Sequence, residues 1–314
     1  MDAKQSYSLD GDHVDRCALE RTSESGMLVD PFGRKLTHLR ISVTSHCNLA
    51  CPYCHKEGHE VQREELSREM IAEIVRVCAV RGVTAVKLTG GEPLLREDIV
   101  EIVRDITSTP GIWEVAITTN GVLLKELAEP LKRAGLARVN IGCDSLSSSV
   151  LAKNVRRITK GLEAAKRVGL TPIKLNMVVL KGINEHEIES MIHFAQEHGA
   201  ILQLIELIET GSDFVRDHFI SLEAIEQRLA TRAWKSETRK MQARKQYYIG
   251  DGIVEVVRSL HNKDFCGHCN KIRVTSDGFF KPCLMRDDNL VSIEEMGVEG
   301  GLCLAVERRR PFYG

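Results

Sequence analysis

From Leu39 onward the chain alternates between two hydrophobic rhythms, and nothing else in the sequence restricts the fold as tightly. Short apolar runs at Leu39–Thr44, Ala85–Thr89, Trp113–Thr119, Arg138–Cys143, Thr171–Leu180 and Ile201–Ile208 read as strands. Between them, Ser67–Arg81, Arg96–Thr107, Leu123–Ala134, Arg156–Val168 and Glu185–His198 carry apolar residues with a period near 3.6. Met70, Ile71, Ile74, Val75 and Cys78 form one face of the first of these, and Gly82 supplies its stop. Gly135, Gly169 and Gly199 end later helices in the same way. Six strand–helix alternations predict a parallel α/β sheet curved toward a barrel. A closed (β/α)8 barrel takes roughly 250 residues. The shorter span from Leu39 to Ile208 fits an incomplete, three-quarter (β/α)6 barrel of the TIM type. The expected organisation is a polar N-terminal extension over 1–30, the partial barrel over 31–208, and a C-terminal region over 209–314 that closes the open rim.

In such barrels the site lies at the C-terminal ends of the strands. Three unusual loops fall there. Cys47-Asn48-Leu49-Ala50-Cys51-Pro52-Tyr53-Cys54 follows the first strand, Gly90-Gly91-Glu92-Pro93 the second, and Thr118-Thr119-Asn120-Gly121 closes the third. Three thiolates are one short of the usual four for a [4Fe–4S] cluster, so one iron would stay open to a ligand that is not protein. Structural zinc is the alternative, but it usually takes four protein ligands, and His46 or His55 would have to be recruited. Gly90 and Gly91 would let a ligand lie against backbone, and Glu92 could help hold an ammonium group. A plain tight βα turn explains the same residues.

After residue 209 the alternation stops. Gln246–Ile249 and Ile253–Val257 suggest added strands. Cys266 and Cys269 come next, with Cys283 beyond a predicted hairpin turn at Ser276-Asp277-Gly278 that brings it back toward the pair. Again three thiols are offered, to a second cluster or to zinc completed by His268 or Cys303. Cys78 and Cys143 read as small buried hydrophobes. The net charge of −1 provides no global field for nucleic acid. No run of 18 apolar residues predicts a membrane span. The cysteine usage suits a reducing, cytoplasmic setting.

The first triplet after a strand, with Tyr53 before its last Cys, and the Gly-Gly-Glu-Pro loop resemble the radical S-adenosylmethionine (SAM) enzymes. Adding Cys-x2-Cys-x13-Cys near the end, the pattern resembles the GTP 3′,8-cyclase family of molybdenum cofactor (molybdopterin) biosynthesis. Leu-Arg-Ile-Ser-Val-Thr at 39–44, Lys-Gly-Ile-Asn at 181–184 and Arg-Val-Thr-Ser-Asp-Gly at 273–278 support it, over about Asp30 to Ile293. His55-Lys56-Glu57-Gly58 and the closing Arg-Arg-Arg-Pro-Phe-Tyr look like the archaeal branch. The resemblance implies two [4Fe–4S] clusters, on Cys47, Cys51 and Cys54 and on Cys266, Cys269 and Cys283, with SAM as cofactor. It implies that a 5′-deoxyadenosyl radical takes the ribose 3′ hydrogen of GTP, giving (8S)-3′,8-cyclo-7,8-dihydroguanosine 5′-triphosphate, with no catalytic side chain beyond the clusters and SAM. Tyr53, Gly90, Gly91, Glu92 and Gly142 fall where that family contacts SAM. Arg40, Lys87, Thr118, Lys174, Lys271, Ile272 and Arg273 fall where it contacts GTP. A low-potential donor of flavodoxin or ferredoxin type is implied, and a homodimer is left open.

Departures are visible. Lys87 and Lys271 stand where many bacterial members have Arg, Gly142 where Ser is common, and Gln203 where a base is often found. Gly300-Gly301 is internal, so the role of the bacterial terminal Gly-Gly is not carried over. The competing readings are a peptide-modifying radical SAM enzyme with an auxiliary cluster and a non-enzymatic iron–sulfur redox sensor.

Overall fold

The computed structural model describes residues 26–61, 63–147, 155–209, 211–260 and 262–312. All six expected strands form: β1 (His38–Ser42), β2 (Ala85–Thr89), β3 (Glu114–Thr119), β4 (Arg138–Gly142), β5 (Lys174–Val179) and β6 (Ile201–Glu206). They pair in chain order, each parallel to the next. Parallel neighbours require a crossover, supplied by helices α1 (Arg68–Val80), α2 (Ile99–Thr107), α3 (Leu124–Arg133), α4 (Val155–Arg167) and α5 (Ile188–His198). Ser67 starts α1 by accepting the Met70 N–H at 3.2 Å. The α1 face of Ile71, Ile74, Val75 and Cys78 is buried against the sheet core. Burial pushes the Cys78 thiol up to about 12, so it is an inert apolar group, and Cys143 is equally buried.

The C-terminal region does more than cover a rim. It adds α6 (Asp213–His218), α7 (Glu223–Arg232), β7 (Lys235–Thr238), β8 (Lys245–Ile249), β9 (Gly252–Val257), α8 (Lys263–Gly267), β10 (Lys271–Val274), β11 (Phe279–Lys281), β12 (Val291–Ser292), α9 (Ile293–Met296) and α10 (Val298–Glu307). β9 pairs parallel with β6, and β10 pairs parallel with β1. The sheet order is β12-β11-β10-β1-β2-β3-β4-β5-β6-β9-β8-β7, so both open edges of the six-stranded unit are extended and the sheet stays unclosed. The expected turn after β10 forms, with Thr275 N–H donating to Phe279 O at 2.9 Å. One large apolar core lies between the sheet and its helices. A separate small cluster of Tyr53, Leu180, Leu207 and Val215 packs against Cys51, under the first cysteine loop. Among the described residues no helix is long and apolar enough to cross a membrane.

Candidate active site

A cavity of about 410 Å³ runs along one face of the parallel strands, from His38, Lys87 and Lys174 to the strand ends at Thr89, Thr119 and Gly142. Cys47, Cys51 and Cys54 line it, and so do Cys266, Cys269 and Cys283. All six are reduced thiols. Two groups separated by more than 200 residues of sequence therefore face the same space.

The first cysteine loop is held down by backbone. Gly91 N–H donates to Thr44 O at 2.8 Å, and Glu92 N–H to His46 O at 2.7 Å. A Cβ on Gly90 would overlap the Thr44 carbonyl oxygen, and one on Gly91 the His46 carbonyl oxygen. The Gly pair thus admits the chain's own loop, with Gly90 at φ +153° where side chains are strained. Both glycines still line the cavity. Glu65 fastens the loop further, accepting from Ser45 N–H at 2.7 Å and the Thr44 hydroxyl at 2.8 Å. The expectation for Glu92 needs correction. Its carboxylate is buried, does not line the cavity, and accepts from Leu94 N–H at 3.0 Å, the Thr119 hydroxyl at 2.6 Å and Asn120 N–H at 2.6 Å. It shapes the β2 and β3 loops rather than facing a ligand. Tyr53 lines the cavity and donates its hydroxyl to Asp144 Oδ2 at 2.7 Å.

The second triplet is held by the two ends of the described chain. Arg34 donates to Cys266 O at 3.0 Å, and Arg309 donates to Cys269 O at 2.8 Å. Both guanidiniums also bind the buried Asp30 carboxylate, at 2.7 and 3.0 Å. Burial works against a thiolate at Cys269, but Arg309 and Lys271 outweigh it and lower its pKa. At Cys266 burial wins and raises it.

These surroundings fit iron–sulfur clusters. Each triplet presents three reduced thiols to an open cavity; Lys56 N–H lies 3.5 Å from Cys54 Sγ, and Arg309 and Lys271 lie close enough to Cys269 to lower its pKa. Sulfurs of one cluster bind different irons, and among the described residues no three His, Cys, Asp or Glu side chains are set to hold a single metal ion. Three of the four helpers proposed for a zinc site are elsewhere. His46 pairs with Glu65 at 3.1 Å, and His268 bonds Asp264 O at 2.9 Å, both outside the cavity. Cys303 is buried in α10 and disulfide-bonded. His55 does reach the cavity, where burial lowers its pKa.

Between the triplets stands a wall of cations. Arg40, Lys87, Lys174, Lys271 and Arg273 line it, and Thr118 and Gly142 do too. Ile272 does not: it is fully buried in the apolar core, because alternation along β10 turns it away from Lys271 and Arg273. Arg40 pairs with Glu57 at 2.5 Å. Burial opposes ionisation of Glu57, yet Arg40, His55 and Arg273 hold its carboxyl at about 2. The Lys87 ammonium makes no hydrogen bond or ion pair among the described residues, and burial with Arg138 and Lys271 nearby drives its pKa well down. Lys174 is committed to Glu255 at 2.8 Å and is lowered to about 8, mainly by burial. Sequence reasoning missed Arg239, Arg244, Glu57 and Glu255. Glu255 had a signal, a lone acid inside the apolar run Ile253–Val257.

Residues 41–195 match the Radical SAM superfamily, and residues 200–299 match Molybdenum Cofactor Synthesis C. A probable GTP 3′,8-cyclase of Methanosarcina acetivorans is 45% identical, over 92% of this chain and 91% of that protein. One from Methanothermobacter marburgensis is 46% identical, over 90% of this chain and 98% of that protein. The chain belongs to the GTP 3′,8-cyclase family. Among solved structures, Streptococcus suis SuiB bound to S-adenosylmethionine superposes with a TM-score of 0.60 at 16% identity, covering 100% of this chain and 79% of that one. Native anSMEcpe with bound AdoMet gives 0.56 at 16% identity, over 85% and 80%. At that identity the likeness to this GTP 3′,8-cyclase relative is one of fold alone.

Proposed function

We propose that the chain is a radical SAM GTP 3′,8-cyclase that converts GTP to (8S)-3′,8-cyclo-7,8-dihydroguanosine 5′-triphosphate in molybdopterin biosynthesis. The observation that carries this is the common cavity: two cysteine triplets face one space across a cationic wall. A redox sensor would need neither the second triplet there nor the cations. Cys47, Cys51 and Cys54 would hold a [4Fe–4S] cluster, which would supply the electron for reductive SAM cleavage.

The chain's own residues bind, orient and exclude water. Tyr53, Gly90, Gly91 and Gly142 line the SAM side of the cavity in this reading. The Tyr53–Asp144 bond and the apolar cluster beneath Cys51 keep that side rigid and dry. Arg40, Lys87, Lys271 and Arg273 supply the positive charge that a triphosphate requires, and the arginines can bond phosphate bidentately. Cys266, Cys269 and Cys283 would hold the second [4Fe–4S] cluster, whose open iron would offer a ligand site to the purine. The ribose then lies between the two triplets, where hydrogen abstraction needs reacting atoms roughly 3–3.5 Å apart. A cytoplasmic setting and a low-potential flavodoxin- or ferredoxin-type donor complete the proposal.

Anaerobic turnover with SAM, dithionite and GTP deuterated at the 3′ position tests it. Deuterium moves into 5′-deoxyadenosine and the cyclised triphosphate accumulates, both read by mass spectrometry. SAM cleavage indifferent to GTP, with no deuterium transfer, rules the reading out.

A further inference from the structure

Glu255 sits on β9 with no solvent exposure, surrounded by more positive charge than it neutralises. It accepts from Lys174 Nζ at 2.8 Å, Gln203 Nε2 at 2.6 Å and Gln246 Nε2 at 2.9 Å. Arg239 and Arg244 reach it at 3.3 and 2.7 Å. Three cations against one carboxylate leave a surplus of two. A network serving only the fold would be neutral, because an uncompensated buried charge is strongly destabilising. Here Arg239 and Arg244 line the cavity, so the surplus faces the space a substrate enters. The Arg244 side chain is only 12% exposed, and its Nε is buried without a hydrogen-bond partner among the described residues.

The turn carrying these arginines is strained. Gln242 and Ala243 sit at φ 60° and 46°. Non-glycine residues hold that conformation only where the surroundings over-determine it, and such strain clusters at ligand-binding sites. Gln242 is pinned by its N–H to His268 O at 3.0 Å, and by Lys271 Nζ donating to its Oε1 at 2.9 Å. The turn is thus anchored on the second cysteine loop on one side and on Glu255 on the other.

We propose that Arg239 and Arg244 grip the polyphosphate end of the nucleotide, and so set the preference for a triphosphate over a monophosphate. This rests on the reading of the site as a GTP cyclase. A triphosphate supplies the counter-charge that the Glu255 network lacks, and two guanidinium forks match adjacent phosphate oxygens.

Equilibrium binding to the anaerobically reconstituted chain, with GTP, GMP and inorganic tripolyphosphate as probes, tests the proposal. Arg244→Gln and Arg239→Gln each weaken GTP binding about tenfold or more. GMP binding stays within about twofold, so the GTP-over-GMP preference narrows. The salt dependence of GTP binding becomes shallower, a change that a loss of fold alone does not produce. Arg239 is 36% exposed, so its variant decides the matter if Arg244→Gln does not fold. An unchanged preference in folded variants, or equal losses for GTP and GMP, overturns the proposal. Tripolyphosphate separates the two failures. Binding of it that the variants lose, without any GTP-dependent chemistry, keeps the phosphate grip and removes the cyclase reading. GTP cyclisation by variants indifferent to phosphate number keeps the cyclase and removes the grip.

Discussion

Cys51 and Glu255 show how far a single side chain carries function here. Cys51 lines the cavity and also packs against the Tyr53 cluster. Cys51→Ala is expected to drop iron from about eight to about four per reconstituted chain. It should stop 5′-deoxyadenosine formation while GTP binding survives in part, read by iron analysis and equilibrium binding. Glu255 gives a pH signature. Burial raises its pKa, but Arg244 and Lys174 outweigh this and hold it at about 2, below its ordinary 4.5. Its stabilisation is complete above pH 4.5 and is lost as pH falls toward 2. Glu255→Gln leaves its cations unpaired and should destabilise the chain at pH 7 by roughly 3–5 kcal/mol. Urea denaturation should show that difference shrinking as pH falls through that window, because the wild type then loses its carboxylate too. A difference independent of pH would contradict the assignment.

At the scale of elements, the loops carrying the cysteines are positioned by contacts their own sequences do not contain. Gly91→Ala drives a Cβ into the His46 carbonyl oxygen, so the first cysteine loop must lift from β2. A cost of roughly 1–3 kcal/mol is expected. Iron should fall toward four per chain, with the second triplet still loaded. The second loop depends on Arg309, which is 1% exposed and bridges Asp30 to Cys269 O. Arg309→Gln leaves Asp30 with Arg34 alone. Chelator should then strip the second cluster faster than the first, which spectroscopy of the two clusters during chelation can follow. Equal rates of loss would show that the clamp has no bearing on that site. His59 and Asp277, paired at 2.9 Å, tie the segment after the first triplet to the hairpin that leads to Cys283. The two cysteine loops are therefore one packed unit.

For the whole molecule, the outcome that matters is the meeting of two triplets at one cavity. Anaerobic reconstitution should give about eight irons per chain from two Cys₃-ligated clusters. Cys269→Ala should leave slow SAM cleavage intact and stop cyclisation, since the substrate ribose is then misplaced, and misplacement of about 1 Å can cost about 10²-fold. Product analysis after single turnover with 3′-deuterated GTP checks it. Unimpaired cyclised product would show that the second triplet does not position substrate. The open sheet explains how both triplets reach that space. β10 adds beside β1 and β9 beside β6, so the C-terminal region supplies walls at both edges of the parallel unit.

The sequence by itself determined the strand–helix alternation, the parallel order of β1 to β6, the hairpin before Cys283 and the six thiols. Hydrophobic period, turn chemistry and thiol type are local properties, so they are readable in a window of a few residues. Tertiary structure decided which polar residues face the cavity. Glu92 is spent on the Thr119 hydroxyl and Asn120 N–H, and Lys174 on Glu255, because their partners come from other strands. Ile272 points into the core, although its neighbours on either side line the cavity. Arg34 reaches Cys266 across 232 residues and Arg309 reaches Asp30, contacts that exist only once β10 has paired with β1. A charge is assigned its role by whatever lies opposite it in the fold, and no local pattern records that partner.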